Sequence, residues 1–216
     1  MFKDKAMKKL IIGLGTGRCG TTSLTKFLCL QQSAFVTHEH KASRIGWYRS
    51  YVGVKTFIEE TLRYPYNIVG DVAFFLLPYV EYIIKEFEDK AELYFICLKR
   101  NKVETINSFR RKQGWNTKNR HPWYEGPDFP HFNWDKCYPK FGFLSQEDAM
   151  SYYWDMYYEI SERFQQRHPD KFKIFDIESL NSIEGQRSIL LFLQISENDM
   201  IDYEGLPKWN KSKSNQ

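Results

Sequence analysis

Three glycines, Gly15, Gly17 and Gly20, fall within the string Gly15-Thr16-Gly17-Arg18-Cys19-Gly20-Thr21-Thr22-Ser23-Leu24. An apolar run, Leu10–Leu14, leads directly into it. Glycine lets a backbone come close to a ligand, and a helix that starts after such a loop aims its unpaired N–H groups at one place. The chemistry of that arrangement is the holding of phosphate. The spacing Gly15-x4-Gly20 is that of a nucleotide-binding loop, yet Thr21 stands where a nucleoside triphosphatase carries Lys. The cation has moved back into the loop, to Arg18. An ordinary glycine-rich strand–helix turn would account for the glycines, but not for the whole string.

A second group of residues follows the clearest apolar run, Glu92–Leu98. It reads Leu98-Lys99-Arg100-Asn101-Lys102-Val103-Glu104-Thr105-Ile106-Asn107-Ser108, and places Arg100 and Ser108 about two helical turns apart. Ligands of open α/β sheets bind where strands end in this way. Arg110, Arg111 and Lys112, further along, read as a solvated basic face. A polar run, Thr37-His38-Glu39-His40, follows the second apolar stretch, and Asp71 closes the third.

These residues need elements to position them. The pattern predicts strands at Leu10–Leu14, Ala34–Thr37, Asn67–Ala73, Glu92–Leu98 and Phe172–Ile177. It predicts helices at Gly20–Gln31, Val54–Arg63, Leu77–Glu88, Val103–Lys112, Ser145–Arg167 and Gly185–Leu193. Such alternation implies a parallel sheet covered on both faces. The aromatics Tyr152, Tyr153, Trp154, Tyr157 and Tyr158 fall mostly at core spacing on the long helix. The segment Gly114–Leu144 is irregular, with four prolines and three glycines. It carries Trp115, Trp123, Tyr124, His121 and His131 among many rings. Two readings stand for it: a lid over a bound molecule, or a loop held to the core by its own rings.

Composition sets bounds on the rest. At 216 residues, 42 % hydrophobic and 27 % charged, the chain suits one globular α/β domain spanning residues 1–216. A net charge of +4 is too small to argue for nucleic acid. The four cysteines show neither metal nor disulfide spacing, which points to a reducing compartment, with Cys29 and Cys97 expected as small core residues. The basic start, Met1–Lys9, leads into the glycine loop and not into a cleavage site, and Pro78 and Glu81 interrupt the apolar stretch near Val72–Val80. The expectation is a cytoplasmic protein without stable membrane insertion.

The loop and the strand–helix at 98–108 together resemble the sulfotransferases that use 3′-phosphoadenosine-5′-phosphosulfate (PAPS). The resemblance implies a P-loop kinase-like, three-layer α/β/α fold with about five parallel strands. It implies that Gly15, Thr16, Gly17, Arg18, Cys19, Gly20, Thr21, Thr22 and Ser23 hold the 5′-phosphosulfate, and that Arg100 and Ser108 hold the 3′-phosphate. Arg18 would set positive charge beside the leaving phosphate, which gains charge as the sulfuryl group departs. Several carbohydrate sulfotransferases place a Glu after the second strand as general base. That makes Glu39 the first candidate here and His38 the second, with Asp71, His121 and His131 behind them. Asp71, Trp115, Trp123 and Tyr124 are candidates to face the acceptor, a small molecule or carbohydrate. The product would be adenosine 3′,5′-bisphosphate, and no metal is required. The family's frequent proline after the strand-ending arginine is absent at Asn101-Lys102, as is its C-terminal Arg-Lys-Gly clamp, for which Lys208–Lys211 could substitute. A P-loop kinase and a non-catalytic nucleotide-binding protein are the rival readings.

Overall fold

The computed structural model describes residues 7–40, 45–48, 50–111, 121–123, 135–142 and 145–201. Five strands form one sheet: β1 (Lys9–Leu14), β2 (Ala34–His38), β3 (Ile68–Val72), β4 (Glu92–Lys99) and β5 (Phe172–Asp176). Every pairing is parallel, in the order β2-β3-β1-β4-β5. The three central strands, β1, β3 and β4, bury both faces, which is why they read as near-continuous apolar runs without alternation.

Six α-helices among the described residues cover the sheet: α1 (Thr21–Cys29), α2 (Tyr51–Leu62), α3 (Val80–Phe87), α4 (Lys102–Arg110), α5 (Gln146–Arg167) and α6 (Ile183–Phe192). One core contains Leu10, Ile12 and Leu14 of β1 with residues of α2, α3 and α5. The other contains Ile11 of the same strand with residues of α1 and α6. Successive side chains of β1 thus enter opposite layers, as strand geometry demands. The expected three-layer α/β/α fold with a five-stranded parallel sheet is the observed one.

Local chemistry sets the helix starts. Asn101 Oδ1 accepts the Glu104 N–H at 3.2 Å and so caps the start of α4. Ser145 and Ser182 cap α5 and α6 through the Asp148 and Gly185 N–H groups. The predicted helix at Leu77–Glu88 divides into a 3-10 turn, Phe74–Tyr79, and then α3, because Pro78 has no N–H to donate. Cys97 is buried, but Cys29 is exposed. It occupies the last turn of α1, outside the buried stripe of Leu24, Phe27 and Leu28, and so corrects the expectation of a core thiol.

Connections from β1 lead to one side of the sheet and those from β4 to the other. The crevice between their carboxyl ends is therefore a topological switch point, where α/β sheets bind ligands. β1 and β3 also approach very closely: a Cβ on Gly70 would lie 1.9 Å from the Ile11 carbonyl oxygen. Gly70→Ala should therefore cost about 3 kcal/mol or more of stability, at the upper end of overpacking effects. Urea unfolding checks this, and an unchanged midpoint would contradict the packing.

Candidate functional site

The loop after β1 bends through left-handed backbone at Gly17 (φ 81°), Arg18 (φ 57°) and Gly20 (φ 91°). Gly15 has φ 137°, and a Cβ there would meet Cys19 Sγ at 2.5 Å and the Leu98 carbonyl at 2.8 Å, so only glycine fits between loop and β4. Gly20 in turn ends the loop and starts α1, whose first-turn N–H groups have no partners within the helix. Arg18 is a non-glycine residue held left-handed, the kind of local strain that a rigid surround maintains at functional sites.

That surround comes from α5. The Gly15 N–H donates to the Tyr157 hydroxyl at 2.9 Å, and this hydroxyl donates to the Phe74 carbonyl at 3.0 Å. Tyr153 donates to the Thr16 carbonyl at 3.3 Å, and Tyr158 to the Leu98 carbonyl at 2.8 Å. Their rings are core, as the spacing implied, yet their hydroxyls grip the loop and the end of β4. Phenylalanine would pack as well. The choice of tyrosine at three buried positions is the sequence signal for these bonds, because a buried phenol needs a partner. Burial pushes all three phenols well above their ordinary range, so they remain neutral donors. Cys19 is wholly buried beneath the loop and its thiol is pushed up to about 11 by that burial. It is a packing residue of the loop, and a neutral one.

The structure brings the loop together with the second motif. Arg18 Nε donates to Ser108 Oγ at 3.0 Å, and Arg100 donates to the Arg18 carbonyl at 3.1 Å. Arg100 also pairs with Glu104 at 3.1 Å. Burial lowers the Arg18 pKa, and the charges of Arg100 and Arg111 lower it further. Arg111 is exposed, as the reading of a solvated face expects, and only its charge reaches Arg18. Arg110 is exposed as well and pairs with Glu147 on α5. The guanidinium groups of Arg18 and Arg100, one bonded to Ser108 and the other to the loop backbone, form a site that an anion would relieve.

On the opposite flank, His38 Nε2 lies 3.1 Å from Thr21 Oγ1, and His38 Nδ1 lies 3.9 Å from a Glu39 carboxylate oxygen. Burial lowers the His38 pKa and favours the neutral ring. Glu39 has φ 51°, and its N–H donates to the Val72 carbonyl at 3.0 Å. Its charge is felt by two buried groups, Asp71 and Tyr138. The Tyr138 hydroxyl also comes within 4.0 Å of where a Gly17 Cβ would be. Tyr138 thus reaches the loop from the irregular segment, a role that its position in the sequence does not reveal.

Of the aromatic segment, Trp123 is fully buried against Phe109, Tyr138 and Tyr153, which matches a loop held to the core by its rings. His121 is buried beside it. Trp115, Tyr124, His131 and Lys208–Lys211 lie outside the described residues. Among the described residues no group of three or more His, Cys, Asp or Glu side chains could hold a metal ion. Nor is any helix among them long and apolar enough to cross a membrane.

No family model matches the chain, and no curated protein matches it. A crystal structure of a sulfotransferase from Alicyclobacillus acidocaldarius shares the fold, with a TM-score of 0.54 over 94 % of this chain and 88 % of that one. Identity between the two is 15 %, so the likeness is one of fold.

Tyr157→Phe should orphan the Gly15 N–H and cost about 1–3 kcal/mol of stability. It should also weaken anion binding at the loop. Tyr158→Phe, whose hydroxyl bonds the Leu98 carbonyl and reaches the loop only in addition, at Thr16, should destabilise with a smaller loss of anion binding. Denaturant unfolding and calorimetric titration of the two variants check this, and equal anion affinity in both would contradict it.

Proposed function

We propose that this protein is a PAPS-dependent sulfotransferase. The observation that carries the reading is the direct bond from Arg18 of the glycine loop to Ser108 of the second motif. Two sequence motifs that the family uses for opposite ends of one cofactor lie within a hydrogen bond of each other. A glycine cradle, a helix N-terminus and a guanidinium cluster also fit an adenosine nucleotide with phosphates at both ends.

On this reading the first-turn groups of α1, with Thr21 and Thr22, hold the 5′-phosphate, and Arg100 and Ser108 hold the 3′-phosphate. Bound PAPS supplies an activated sulfuryl group, and its transfer leaves adenosine 3′,5′-bisphosphate. Arg18, which touches both motifs, neutralises charge on the leaving phosphate. Glu39 accepts the proton of an acceptor hydroxyl or amine. His38 orients Thr21 through Nε2, a positioning task that makes Glu39 the better candidate for the base. The acceptor, a small molecule or carbohydrate, would enter on the side of Glu39 and Asp71.

Two outcomes are expected. Adenosine 3′,5′-bisphosphate should bind far more tightly than AMP, and Arg100→Ala should remove about 2–3 kcal/mol of that preference, the scale of charge-assisted hydrogen bonds. Calorimetry checks this; equal affinity for the two nucleotides would sink the assignment of the second motif. With labelled PAPS and a panel of acceptors, Glu39→Gln should lower turnover by about 10²–10⁴ and leave bisphosphate affinity unchanged. His38→Ala should be milder. The reverse ranking would make His38 the base.

A further inference from the structure

Asp71 is the only fully buried carboxyl among the described residues. It stands on β3, in register with Ile12 of β1 and Thr37 of β2. Its Oδ1 accepts two hydrogen bonds, from Thr37 Oγ1 at 2.7 Å and from the His40 N–H at 3.3 Å. Its Oδ2 is buried and has no hydrogen-bond partner. The two donors bracket Glu39 in the chain, and the Glu39 N–H is itself tied to the carbonyl of Val72, next to Asp71. Three bonds from two adjacent residues of β3 thus fix a turn whose displayed residue is held left-handed.

A strand position of this kind ordinarily takes an apolar residue, since an ionised carboxylate without partners is costly to bury. A neutral acid can keep the two bonds at Oδ1 without that cost. We propose that Asp71 is a positioning residue for Glu39: Oδ1 clamps the turn that presents the base, and Oδ2 carries a proton, so that the pair bears one negative charge, on Glu39. This rests on the reading of Glu39 as general base. Burial, reinforced by the charge of Glu39, pushes the Asp71 carboxyl up to about 7, while the bonds from Thr37 and His40 act the other way. Glu39 is the charged group that faces it from the turn, where the His40 ring also belongs. Its register neighbours Ile12 and Thr37 carry no charge, and Tyr138, which faces Glu39, is held neutral by burial.

The test uses Asp71→Asn, which keeps an acceptor oxygen but cannot ionise, and Thr37→Val, which removes one bond of the clamp. The proton is read without turnover. A folded-state pKa near 7, above the ordinary 3.8, means that the native protein holds this proton more tightly than the unfolded chain. That stabilisation is complete at low pH and is lost as pH rises to about 7. The thermal midpoint of the unaltered protein should therefore fall relative to Asp71→Asn between pH 4 and 7, then run parallel to it. Parallel curves throughout would overturn the protonated state. The clamp is read from the Glu39 carboxyl by 13C NMR, which should shift or broaden in Thr37→Val and remain in place in Asp71→Asn. With an acceptor in hand, kcat should fall about tenfold or more in Thr37→Val, with bisphosphate affinity within about twofold of the unaltered protein. An unmoved Glu39 signal in Thr37→Val would overturn the positioning role. Should the signal move as expected while Glu39→Gln leaves turnover intact, the clamp stands and the assignment of the base falls.

Discussion

The hydrogen bond from the Gly15 N–H to the Tyr157 hydroxyl is the interaction on which the site depends. A glycine-rich loop has few side chains of its own to fix it, and glycine gains the most conformational freedom when released. The loop therefore needs an external mould. α5 supplies it from below, through Tyr157 to Gly15 and Tyr153 to Thr16, while Tyr158 secures the adjoining end of β4. Because Tyr157 also donates to Phe74, one buried phenol ties the loop, the long helix and the turn after β3 into a single unit. Arg18 and Glu39 can then be held in left-handed backbone on either side of a rigid floor.

Charge is sorted across that floor. Arg18 and Arg100 gather toward β4, whereas Glu39 and Asp71 sit toward β2 and β3. The sheet order makes this possible, since β1 lies between β3 and β4 and its loop opens toward both. A bound anion would meet cations on one flank, and a group that gives up a proton would meet the Glu39 carboxylate on the other. His38 links the two sides through Thr21 and the neighbouring Glu39 carboxylate.

The central strands were legible in the sequence because strands buried on both faces have no alternation to confuse, and the five predicted runs match the five strands to within one residue. The glycine loop and the Arg100–Ser108 spacing were legible for a related reason: local backbone chemistry dictates both. What could not be read was everything that depends on contacts distant in sequence. The reach of Tyr157 to Gly15 spans 142 positions, and the bond from Arg18 to Ser108 spans 90. Asp71 could have capped a turn or faced a ligand, and only burial and the paired donors at Oδ1 reveal a clamp.

On the proposed reading, the two motifs grip opposite ends of one nucleotide. A crystal structure of the protein with adenosine 3′,5′-bisphosphate tests it most directly. The 5′-phosphate should lie at the first turn of α1, against Thr21 and Thr22, and the 3′-phosphate between Arg100 and Ser108. A nucleotide whose 3′-phosphate points into solvent, away from Arg100 and Ser108, would contradict it.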